Sequence, residues 1–111
     1  WVMGYAHDGA MADYWPGKEY TDLGGIDQYE QGGQPFAEHY KGTKAVVGST
    51  MPIPLHETGT IPQPSAMFPT NAPWVLWNVW ATYQNTNAEG YTWNTPASIK
   101  SAYADSHTVT R

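Results

Sequence analysis

Between Met51 and Gly59 the chain reads Met-Pro-Ile-Pro-Leu-His-Glu-Thr-Gly, an apolar run that stops at the carboxylate of Glu57 and passes at once into the proline-rich loop Ile61-Pro62-Gln63-Pro64. A buried strand delivers one charged group to its C-terminal rim in this way. Strands covered on both faces read as continuous apolar runs, and in a parallel barrel the chemistry collects at their carboxyl ends, where the loops open. The position also suits an ordinary loop glutamate that follows a strand, so the rest of the chain has to discriminate.

Upstream, Pro35 opens a helix that Gly48 ends, with Phe36, Tyr40, Thr43 and Val47 on one face. Before it, Asp22 to Tyr29 is a short apolar segment closing in Asp27-x-Tyr29, a spacing that turns both side chains to one side of an extended chain. Gly24 and Gly25 weaken this strand, although glycine also lets backbones approach closely. Strand, helix, strand is the right-handed crossover unit of parallel sheets. Two more strands are expected: Trp1 to Tyr5, and Pro73 to Trp80, the most hydrophobic run in the chain and hence a buried one.

Ala6 to Ala12, Thr58 to Asn71 and Asn85 to Gly90 read as loops. Thr95-Pro96 starts a last helix over Ala97 to Ala104, and the tail from His107 to Thr110 folds back. The fold class is therefore α/β, with four strand-helix units, half of a (β/α)8 TIM barrel of about 250 residues. An open four-stranded α/β sheet is the alternative, and would leave Trp74, Trp77 and Trp80 poorly covered at an edge. The apolar start at Trp1, without a polar lead-in, reads as a chain entered within a fold.

Composition excludes several functions. With 111 residues the chain is one domain at most, and a net charge of -5 with five unclustered Lys and Arg argues against nucleic acid or an anionic membrane as partner. No apolar run is long enough to cross a bilayer, so the chain is expected to be soluble, or to follow a leader lying upstream. Without cysteine there are no disulfides, thiol nucleophiles or thiolate metal sites.

His7, His39, His56 and His107 lack the paired spacing of a zinc site, so neither metal nor cofactor is expected. Of these, His39 is placed on a helix surface, His56 on the side of the strand opposite Glu57, and His7 in a rim loop within reach of substrate. Six Trp and eight Tyr against two Phe favour rings with a polar handle, which suit partly wet surfaces such as sugar-stacking platforms; core packing explains a share of them.

Several motifs follow one another along the chain: Tyr14-Trp15-Pro16-Gly17-Lys18-Glu19-Tyr20-Thr21-Asp22, Gly25-Ile26-Asp27-Gln28-Tyr29, Pro52-Ile53-Pro54-Leu55-His56-Glu57-Thr58-Gly59, Trp77 to Trp80, and Asn94-Thr95-Pro96. Together they resemble, over nearly all of residues 1–111, the C-terminal half of the catalytic barrel of a glycoside hydrolase of family 26, the group best known for endo-β-mannanases. The resemblance implies a retaining, endo-acting, secreted hydrolase of β-linked plant polysaccharide, with β-1,4-mannan the first choice and β-glucan or 1,3-xylan the alternatives. It makes Glu57 the nucleophile at the end of the seventh strand, Tyr29 its hydrogen-bond partner, and Asp27 a sugar contact on the non-reducing side.

Trp80, with Trp77 and Tyr5 behind it, would form platforms for the sugar. Trp77 equally suits the core, since it differs from Trp80 by an odd number of positions on one strand. The family's general acid/base is a second Glu, at the end of the fourth strand, and the motif around it is missing from this chain; Glu19, Glu30, Glu38 and Glu89 do not match it, and Glu30 is a weak stand-in. The implied partners are a polysaccharide and the N-terminal half of the barrel or a second chain. The rival is a noncatalytic sugar-binding module or half-barrel, yet such modules are usually antiparallel sandwiches.

Overall fold

The computed structural model describes residues 1–6, 9, 11–30, 35–80 and 93–110. Four strands, β1 (Val2–Tyr5), β2 (Leu23–Gln28), β3 (Leu55–Thr58) and β4 (Trp77–Val79), alternate with four helices, α1 (Met11–Tyr14), α2 (Ala37–Val47), α3 (Pro64–Met67) and α4 (Pro96–Ala104). The strands form one sheet in sequence order, every neighbouring pair parallel. All their carboxyl ends therefore lie along one edge.

The face of α2 is the one that its spacing predicts: Phe36, Tyr40, Thr43 and Val47 are buried. Phe36, Tyr40 and Val47 join Met11, Ile26, Ile53, Leu55, Met67, Ala72 and Trp74 in one core, in which full burial of a side chain such as Ile26 or Leu55 is worth about 2 kcal/mol. The helix begins two residues after Pro35, because Phe36 takes a left-handed backbone (φ 59°) and caps it. The Pro35 carbonyl instead accepts the Trp74 indole N–H at 2.7 Å. That bond seats Trp74 edge-on against Tyr40, with ring centroids 5.0 Å apart. Burial raises the Tyr40 phenol above its ordinary pKa.

The adjacent glycines of β2 leave room for close neighbours. A Cβ on Gly25 would lie 2.2 Å from the Pro54 carbonyl oxygen, so only glycine lets the segment leading into β3 come this close. The loop read from Ala6 to Ala12 gives way at Met11 to a single helical turn, α1, and the loop read from Thr58 to Asn71 contains another, α3, started by Pro64 at its first position.

The run from Pro73 to Trp80 differs most from expectation. Only Trp77–Val79 is strand, and Val75, Leu76 and Trp80 are about half exposed. β4 is paired on one side, through bonds such as Leu55 N–H to the Leu76 carbonyl and Trp80 N–H to the Thr58 carbonyl, and among the described residues nothing pairs its other edge. Trp74 is buried, with Tyr40 of α2 against its ring.

The last helix starts as its sequence predicts, with the Thr95 hydroxyl accepting the Ser98 N–H at 3.1 Å. The tail folds back until His107 lies on Phe68, ring centroids 4.5 Å apart. Asp105 accepts the His107 backbone N–H, which together with the His107 side chain holds its carboxyl below the ordinary range. No described helix is long and apolar enough to cross a membrane.

Candidate active site

Parallel pairing sets Asp27 of β2 level with Glu57 of β3. Tyr29, just past the end of β2, donates its hydroxyl hydrogen to Glu57 Oε2 at 2.5 Å. Glu57, Asp27 and Tyr29 are all half-buried, so the carboxylates are partly shielded from bulk water. The two-residue spacing of Asp27 and Tyr29 brings both to the rim where Glu57 stands.

His56 is where the sequence reading fails. Ile26 pairs with Leu55 but Asp27 pairs with Glu57, so β3 sets two residues against one of β2. Such a bulge breaks the strict alternation of sides. His56 therefore faces β2, with Nδ1 3.0 Å from Asp27 Oδ1. Its ring covers Gly4 of β1, where a Cβ would lie 2.4 Å from Nδ1.

Asp27, His56 and Glu57 can each offer a ligand atom within 4.8 Å of the others. In this arrangement His56 Nδ1 already faces Asp27 and Glu57 Oε2 already accepts from Tyr29. The chemistry that remains open is that of an oriented carboxylate beside a hydrogen-bonding pair.

A second residue that sequence reasoning missed is Trp93. A Cβ on Gly59 would lie 2.7 Å from the Trp93 ring and 3.4 Å from the Tyr29 ring, so both rings close on the chain two residues beyond Glu57. Asn94, which is buried, fixes that stretch: its amide donates to the Gly59 carbonyl at 2.7 Å and accepts the Ile61 N–H at 2.8 Å. The only sequence signal for Trp93 was its place before Asn94-Thr95-Pro96.

The remaining candidates fall into two groups. Trp80 follows β4 on the same rim, with half its surface exposed. Trp77 packs against the core, as does Tyr5, whose hydroxyl donates to the Tyr14 carbonyl at 3.0 Å and whose desolvation raises its pKa. His39 is less superficial than expected, with Nε2 3.1 Å from Gln28 Nε2 and 3.6 Å from the Glu30 carboxylate. Glu30 thus leans on α2, Glu38 pairs with Lys41, and Glu19 lies beside Gly17. His7 and Glu89 lie outside the described residues.

The family model for glycosyl hydrolase family 26 matches residues 1–111. A mannan endo-1,4-β-mannosidase of Thermothelomyces thermophilus is 29% identical over 98 residues, which are 88% of this chain and 20% of the relative. Among solved structures, a GH26-CBM35 β-(1,4)-mannanase of Podospora anserina superposes with a TM-score of 0.78 and 25% identity, over 98% of this chain and 23% of its own. A β-mannanase from a symbiotic protist of the termite Reticulitermes speratus, complexed with gluco-manno-oligosaccharide, gives 0.77 and 22%, over 99% and 33%. A ruminal GH26 endo-β-1,4-mannanase gives 0.80 at 18% identity, over 99% and 25%, a likeness of fold. The chain thus spans a fifth of the curated relative and between a quarter and a third of most of these structures, and its parallel sheet is the corresponding part of a (β/α)8 barrel.

Proposed function

The chain belongs to glycosyl hydrolase family 26, and from that premise we propose that residues 1–111 are the C-terminal half of the catalytic domain of a retaining endo-β-1,4-mannanase with Glu57 as nucleophile. The observation that carries the reading is the 2.5 Å bond from the Tyr29 hydroxyl to Glu57 at the end of β3, with Asp27 level beside it. A hydrogen bond of this kind fixes the carboxylate's rotamer and spreads its charge, leaving the other oxygen free to react.

In the first step Glu57 attacks the anomeric carbon, the glycosidic bond breaks, and the leaving oxygen takes a proton from a second carboxylic acid. In the second, that group, now a carboxylate, removes a proton from water, and the water oxygen displaces Glu57 from the sugar. The second carboxyl is contributed from outside residues 1–111, by the other half of the barrel or by another chain. Asp27 accepts a sugar hydroxyl on the non-reducing side, and Trp80 gives the ring an apolar platform. The relatives named for mannan favour that polymer over β-glucan or 1,3-xylan. Acting on a polymer too large to enter a cell, the protein is secreted.

Glu57→Ala in the full-length protein tests this. Turnover of mannan should fall by about 10³-fold or more, with an unchanged circular dichroism spectrum. Undiminished turnover would sink the assignment, and a wild-type protein that binds mannan without cleaving it would favour a noncatalytic half-barrel.

A further inference from the structure

A sugar subsite needs its carboxylate in one orientation, and an aspartate at a strand end turns about its side-chain bonds unless a neighbour holds it. His56 is that neighbour. A carboxylate only accepts, so the hydrogen between the two groups belongs to the imidazole: His56 donates Nδ1–H to Asp27 Oδ1 at 3.0 Å. The donor is itself held, because the bulge of β3 turns the ring toward β2 and the ring lies flush on Gly4 of β1. Three adjacent strands thus cooperate in one bond. The Asp27 side chain is 22% exposed, so this bond is partly shielded from competing water.

We infer that His56 is a positioning residue that fixes Asp27 by holding Oδ1, leaving Oδ2 to accept a hydroxyl of the sugar on the non-reducing side of Glu57. This rests on the reading of Asp27 as a sugar ligand. It also accounts for the bulge, because a regular strand would send residue 56 to the other face and leave Asp27 without its donor.

The test uses the full-length protein and manno-oligosaccharides. The side-chain amide nitrogen of asparagine can take the place of Nδ1, whereas that of glutamine takes the place of Nε2. His56→Asn should keep most of kcat/KM, while His56→Gln and His56→Ala lose about 10-fold or more, chiefly through KM. In an Asp27→Asn background His56→Ala should cost nothing further. Equal effects of the Asn and Gln variants, or losses at Asp27 and His56 that multiply, would overturn the inference.

Nitrogen-15 spectra of the unaltered protein give a readout that needs no variant. They should find the His56 hydrogen on Nδ1, and a hydrogen on Nε2 alone would equally overturn it. Turnover that survives Glu57→Ala would instead sink the catalytic reading, so the two failures are distinguishable.

Discussion

At the scale of single residues, the Tyr29 hydroxyl separates geometry from bulk. Tyr29→Phe keeps the ring against Gly59 and removes the hydroxyl that bonds Glu57. A hydrogen bond to a charged acceptor is worth about 1.5 to 3 kcal/mol, so kcat/KM should fall about 10- to 100-fold while the melting temperature holds. Steady-state kinetics on a manno-oligosaccharide would check it, and an unaffected kcat/KM would show that the contact is ornamental. Asp27 and Tyr29 were legible because a spacing of two survives any strand that stays regular. His56 was not, because one inserted residue reverses the parity on which the argument depends.

At the scale of elements, β2 depends on an absence of side chains. Gly25→Ala would press a methyl group against the Pro54 carbonyl, backbone that has no rotamer to escape through. It should destabilise the protein by on the order of 3 kcal/mol, measured by urea unfolding; a loss within experimental scatter would refute the close approach. The same strand shows why local propensity misleads: adjacent glycines argue against a strand until the neighbour that needs the space is known. For α2 the prediction was easier, since Tyr40, Thr43 and Val47 on one face and a terminal Gly48 are set by local spacing. β4 lay at the opposite extreme. Its apolar residues announced burial, but what buries them is decided by tertiary partners, and among the described residues Leu76 and Trp80 have little cover.

At the scale of the whole molecule, the sheet has two open edges among the described residues. Trp1 and Val2 beside β1, and Val75, Leu76 and Trp80 beside β4, present exposed apolar side chains next to unpaired strand. Unpaired parallel edges invite pairing with other chains. Residues 1–111 produced alone should therefore self-associate at micromolar concentration, while the full-length protein stays dispersed; sedimentation velocity would compare the two, and a well-behaved isolated monomer would contradict the open-edge picture. Just past the end of β3, the single side chain of Asn94 ties the Gly59 carbonyl and the Ile61 amide to the start of α4, from 35 and 33 residues away. The rim beyond the proposed nucleophile and the last helix thus share one latch in time as well as in space. The Ile61 amide can trade its hydrogen for deuterium only when that latch opens, so its exchange rate is a clock for the lifting of the helix.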